Sequence, residues 1–257
     1  MRLTMTVAAI ALAALMSPVD AASLQETGDP LASARWEDMR RQFFPPEARV
    51  LFDPRVKVTA PPLAENPMQV PIAVDASDLS GIVEVVVFAD FNPIVEVLRF
   101  YPDAAPAVLG FRIKLQQSTP VRAAARTADG VWHVGGTLVE TTGGGCSAPS
   151  VAAASPEWQS RLNEVSGRQW SEGPNAGRLR LRIVHPMDTG LVAGTPAFHL
   201  EEIEFRDEAG TRLMRLRTFE PVAENPVFTL QQAHGGKPVI ASGRDNNGNV
   251  FTARIAP

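Results

Sequence analysis

The tightest constraint on this chain is a series of short apolar runs, each closed by a turn signal before it could complete a long helix. Residues 70–74, 82–89, 94–100, 109–116, 121–126 and 131–140 are rich in Val, Ile, Leu and Phe. Between them stand Asp75-Ala76-Ser77-Asp78, Asn92-Pro93, Pro102-Asp103 and Asp129-Gly130. Runs of this kind, punctuated by Pro, Gly, Asn and Asp, specify antiparallel strands stacked as a sandwich. Asp129-Gly130 has the chemistry of a tight hairpin turn. Further on, residues 178–183 alternate Arg and apolar residues without a break, so Leu179, Leu181 and Ile183 share one face and Arg178, Arg180 and Arg182 the other. More strands are expected at 198–205, 213–219, 227–232, 239–242 and 250–255.

The two strand-rich blocks resemble each other. Phe-Arg-Ile-Lys-Leu-Gln-Gln at 111–117 and Pro-Val-Phe-Thr-Leu-Gln-Gln at 226–232 each lead to a Pro-Val strand, an Asp-Gly or Asn-Gly hairpin and a last strand. That correspondence predicts two sandwiches of one type. A shared Pro-x-Ala-Glu-Asn-Pro at 62–67 and 221–226 falls at different places in the two blocks, and reads as common turn chemistry. Ahead of the first block, residues 31–44 carry Leu31, Trp36, Met39 and Phe43 at near-helical spacing and stop at Pro45-Pro46, which predicts one short amphipathic helix docked on the sandwich. Between the blocks, residues 143–177 read as a linker containing a short helix at 156–165, with Ser155 as its cap and Pro156 at its first position.

The first residues carry one positive charge, followed by an unbroken apolar run at 7–16, a Ser17-Pro18 break and small residues up to Ala21. This is the pattern of a secretory signal peptide cleaved after Ala21, and the run is too short to span a bilayer. The expected layout is therefore a signal peptide at 1–21, a helical segment at 22–46, a sandwich at 47–142, the linker at 143–177 and a second sandwich at 178–257. A formal net charge of −4 argues against nucleic acid as a partner.

One cysteine in 257 residues excludes an internal disulfide, a Cys-x-x-Cys pair and thiolate zinc sites. Cys146 follows Gly143, Gly144 and Gly145 and precedes Ser-Ala-Pro-Ser, so it is expected on a flexible arm with little to bury it. An unpaired thiol in an exported protein is unusual, which marks Cys146 as functional. With no Lys, Arg or His close to it in sequence, the thiol suits a carrier whose partners bring the catalytic groups. His133, His185, His199 and His234 lack metal-ligand spacing, and the turn at 185–190 reads as structure before it reads as a metal site. The arginines 178, 180 and 182, with Arg215 and Arg217, could draw a small anion, though a solvated sheet face is the simpler reading. No cofactor motif is present in the sequence.

These residues resemble a known pair of families. Residues 177–257, with Ile-Val-His-Pro-Met-Asp-Thr-Gly at 183–190 and Glu224-Asn225-Pro226, resemble SoxZ. Residues from about 49 to 146, with Ala64-Glu65-Asn66-Pro67, Thr119-Pro120-Val121-Arg122 and the closing Gly-Gly-Cys, are similar to SoxY. The resemblance implies an all-β fold of two immunoglobulin-like antiparallel β-sandwiches, and Cys146 as the point of covalent attachment for a sulfur-containing group of thiosulfate-type oxidation. It implies a periplasmic carrier, not an enzyme, with sulfur-oxidation enzymes as partners. The order SoxY-like then SoxZ-like also looks like the fused carriers associated with quinoprotein dehydrogenases. A non-covalent accessory module for such a dehydrogenase is the alternative. A thiol peroxidase is disfavoured, because no second cysteine could resolve the oxidised thiol.

Overall fold

The computed structural model describes residues 28–150, 158–173, 176–233 and 236–257. The expected signal peptide, His234 and the start of the expected 156–165 helix lie outside them. One helix, α1 (Trp36–Phe43), precedes the strands. The first half then forms β1 (Val50–Phe52), β2 (Lys57–Thr59), β3 (Leu63–Ala64), β4 (Val70–Asp75), β5 (Ile82–Ala89), β6 (Glu96–Tyr101), β7 (Val108–Ile113), β8 (Thr119–Thr127) and β9 (Trp132–Thr141). The second forms β10 (Val165–Gly173), β11 (Ala176–Ile183), β12 (Leu200–Asp207), β13 (Arg212–Thr218), β14 (Val227–Gln232), β15 (Val239–Asp245) and β16 (Val250–Ile255).

These strands build two stacked sheets, and both run through the two halves. One reads β1-β9-β8-β5-β6-β13-β12-β15-β16, with β3 also on β9; the other reads β10-β11-β14-β7-β4-β2. If β4 to β9 are matched in order with β11 to β16, each sheet reads the same from either end, apart from β1 and β3, which have no counterpart beside β16. The halves are thus sandwiches of one topology, related by an approximate two-fold between β6 and β13 and between β7 and β14. At that seam Leu216 lies opposite Phe100, Thr218 opposite Leu98, and Leu230 opposite Leu109. All are buried, and all but Thr218 belong to a single apolar core drawn from both halves.

The repeat is out of step with the Leu-Gln-Gln motif. In the second half Leu230-Gln231-Gln232 ends β14, whereas in the first half β7 stops at Ile113 and Leu115-Gln116-Gln117 lies beyond it. Part of the expected linker is also a strand. Residues 165–173 pair with β11 as the edge strand β10, and of the 156–165 helix the described residues keep only a 3-10 turn at Gln159–Arg161. β10 is polar along most of its length and buries Gln169, so no apolar period announced it.

Helix α1 covers the outer face of the first sheet with a small core of its own. Trp36, Met39 and Phe43 pack on Val86, Phe88 and Trp132, with the Phe43 and Phe88 rings stacked at 4.5 Å. The helix is shorter than the apolar spacing implied, because the Asp29 carboxylate accepts the Leu31 and Ser33 N–H groups and holds those residues in turns. Asp29 and Asp90 together enclose the guanidinium of Arg122, at 2.7 and 3.0 Å, and so fix the segment to β8.

A shared core predicts one cooperative unfolding transition. Leu216→Ala should lower its stability as a whole by about 2–5 kcal/mol, without a separate early step for the second half, as read by urea denaturation with tryptophan fluorescence and circular dichroism.

Candidate functional site

Antiparallel pairing of β7 with β14 brings the end of β7 beside the loop that enters β14, and Cys146 sits at that end of the seam. Far from waving on an arm, the thiol is 1% exposed. The chain from Gly143 returns over the loop after β7. The Gly144 and Gly145 N–H groups donate to the Gln116 and Leu115 carbonyls, both at 2.9 Å, and the Cys146 thiol lies 3.5 Å from the Lys114 carbonyl. From the second half, Thr189 Oγ1 donates to the Cys146 carbonyl at 2.6 Å. Ser147 N–H bonds to Gln116, and Ser150 Oγ donates to Glu224 at 2.7 Å.

The three glycines shape this path. Gly143 and Gly144 have φ of 85° and 86°, a left-handed region costly for other residues. A Cβ on Gly145 would stand 2.1 Å from the Pro67 carbonyl oxygen. They were expected to give the arm freedom; in this conformation they let it lie flat against backbone. The two Pro-x-Ala-Glu-Asn-Pro turns converge here as well, since Pro67 lies under Gly145 while Glu224 takes the Ser150 hydroxyl and, through its carbonyl, the Gln69 amide.

The 185–190 turn forms the wall contributed by the second half. His185 is fully buried, and its Nδ1 accepts the Met187 N–H at 3.1 Å while Nε2 faces Asp245 at 3.7 Å. Burial pushes its imidazole down to about 4, so it is neutral near pH 7. Met187 adopts φ 52°, and its carbonyl accepts the Lys114 ammonium.

Lys114 is the site residue that the sequence reading missed. Alternation along β7 would place it outward beside Arg112, but the strand ends at Ile113 and the side chain turns into the seam, leaving the residue 2% exposed. The available signal was a lysine between Ile113 and Leu115. Burial pulls its ammonium down to about 8, against the pull of Asp188, Cys146 and Glu224. Burial likewise pushes the Cys146 thiol up to about 11, opposed by the Lys114 charge, so the resting sulfur is a protonated thiol.

Other residues singled out in sequence lie apart. His133 bonds to Asp53 at 2.7 Å and His199 faces Glu220 at 3.8 Å. Arg178, Arg180 and Arg182 are exposed on β11, where Arg178 lies over the Trp170 ring and pairs with Glu172. Arg215 and Arg217 belong to the other sheet, so the five arginines form no common patch. Among the described residues no three His, Cys, Asp or Glu gather as a metal site.

Comparison with known proteins places two family matches in tandem along the chain. The sequence model of the sulfur oxidation protein SoxY matches residues 40–146, and that of the sulphur oxidation protein SoxZ matches residues 172–256. The chain is a SoxY domain fused to a SoxZ domain. No curated protein matches the chain. Among solved structures, the sulfur carrier protein SoxY from Chlorobium limicola f thiosulfatophilum is 18% identical, with a TM-score of 0.36, over 41% of this chain and 94% of that one. The SoxY match ends on Cys146, and the SoxZ domain supplies Thr189 and the turn that close over it.

Two outcomes follow from this seat. Gly145→Ala should lift the arm and raise the rate at which a neutral disulfide reagent modifies Cys146 by roughly tenfold or more, the equivalent of about 1.4 kcal/mol in docking. In the native protein, alkylation of Cys146 should keep accelerating with pH up to about 11, where an ordinary cysteine levels off near 9; iodoacetamide kinetics followed by intact mass will read this.

Proposed function

We propose that this protein is an exported carrier that holds a sulfur-containing group covalently on Cys146 and presents it to partner enzymes of thiosulfate-type oxidation in the periplasm. The observation that carries the reading is the position of the chain's one thiol at the last residue of the SoxY match, in a seat built jointly with the SoxZ domain. Three further features support it. The apolar run at 7–16 and the small residues before Ala22 fit export. A thiol kept protonated by burial is poorly suited to attack by itself, which fits a residue activated and loaded by partners. The glycines before it let the peptide leave the seat without breaking a strand.

Joining thiosulfate to the thiol forms one S–S bond and releases one proton and two electrons. The loading partner must therefore bring an electron acceptor, such as a haem or quinone centre.

The test is the intact mass of protein isolated from the native periplasm, before and after reduction. The expected result is a chain beginning at Ala22 that carries sulfur-containing adducts, removed by reductant and absent from Cys146→Ser. A chain bearing only free thiol during thiosulfate oxidation, together with full function of Cys146→Ser, would overturn the reading in favour of a non-covalent accessory module for a quinoprotein dehydrogenase.

A further inference from the structure

We propose that Lys114 is the anion-binding residue of the Cys146 seat, its ammonium taking the negatively charged end of the sulfur group that the arm carries. The inference rests on the covalent-carrier reading above and adds to it the residue that recognises the cargo.

The chain has three lysines. Lys57 is exposed and paired with Asp78 at 2.6 Å, Lys237 lies in the loop before β15, and Lys114 is buried in the seam. An ammonium has three N–H donors. Among the described residues that of Lys114 makes one hydrogen bond, to the Met187 carbonyl. No carboxylate among the described residues lies within the 4 Å of an ion pair, and Asp188, Glu224 and Glu220 act on it from further away. A buried cation without a close counter-ion is unfavourable, and the depressed proton affinity of Lys114 reflects that.

The missing charge is one that the bare thiol cannot supply. Cys146 is bonded to the carbonyl of this same lysine, and both the thiol peptide and the ammonium are tied to the 187–189 turn. A sulfur oxyanion or perthiolate on Sγ would bring negative charge to two unused donors. The added atoms need room, and the glycines before Cys146 let the arm rise to make it while the flexible lysine stem follows. The competing role, a brace that only holds the left-handed Met187 in place, makes no demand on the charge of the cargo.

The purified full-length protein can be loaded without any outside oxidant. Tetrathionate reacts with the Cys146 thiolate at a central sulfur, giving Cys146–S–S–SO3− and thiosulfate while the thiol proton goes to solvent. Methyl methanethiosulfonate gives the neutral Cys146–S–S–CH3 and methanesulfinate. Intact mass confirms each adduct. Lysine 13C NMR then follows three side chains through a pH titration, with Lys114 assigned from Lys114→Gln. The expected result is a Lys114 midpoint raised by about one pH unit or more in the sulfonate adduct, as an opposite charge nearby requires, and not raised in the methyl adduct. In kinetics, Lys114→Gln should lower the tetrathionate rate relative to the methyl rate by roughly tenfold, and Lys114→Arg should preserve the ratio. Taking a ratio to the neutral reagent cancels any change in arm exposure or folding. A midpoint and ratio indifferent to adduct charge would overturn the role of Lys114 alone. Failure of both reagents to modify Cys146 at any pH up to about 11, in Gly145→Ala as in the native protein, would mean that the arm does not leave its seat and would overturn the carrier reading, and this inference with it.

Discussion

Everything functional in this structure depends on the seam where β6 pairs with β13 and β7 with β14. Each domain alone would present two unpaired strand edges there, with Leu98, Phe100, Leu109, Leu216 and Leu230 beside them. Pairing satisfies the backbone groups of both edges at once and closes one core over the junction. The SoxY and SoxZ domains therefore stand in the relation of two halves of a single sandwich.

The approximate two-fold of that seam gives it two comparable ends, and the chain treats them differently. At one end the loops after β7 and before β14 receive the cysteine peptide. At the other, the loops before β7 and after β14 enclose a cavity of about 130 Å³ lined by Ala104, Ala105, Met214 and Val239. Symmetry of fold thus stops at the loops, where function resides. At the occupied end the physical conflict is between burial and reactivity: the contacts that hold the arm also keep the thiol protonated. In the proposed carrier role both states would have a use, one docked and inert and one released.

The strands were legible as apolar runs between turn signals, whether one face meets water, as in 178–183, or both faces are buried, as in β5 and β8, and the hairpin at Asp129-Gly130 was legible because few sequences fit such a turn. Cys146 stood out for a local reason, three glycines before a lone thiol. What escaped the sequence was every feature that depends on the second domain. Nothing local to Gly143–Cys146 encodes the Thr189 hydroxyl or the Met187 carbonyl, so a buried thiol read as an exposed one. Lys114 was hidden by its own alternation, which holds only while the strand lasts. β10 was hidden because an edge strand needs backbone partners more than apolar side chains. The 185–190 turn was read as structure, but its place in the fold, walling the cysteine seat, depends on a part of the chain far from it in sequence.

The peptide that carries Cys146 is joined to the SoxZ domain by residues 147–171 of the same chain, and this changes how the seam is maintained. Were the two domains separate chains, their pairing would be a binding equilibrium, sensitive to dilution and to unequal synthesis. Within one chain each half meets the other at an effective concentration that tethering sets at about the millimolar scale, whatever the abundance of the protein. The cysteine can then leave its seat without the assembly coming apart, because the covalent backbone keeps both walls of the seat at hand for its return.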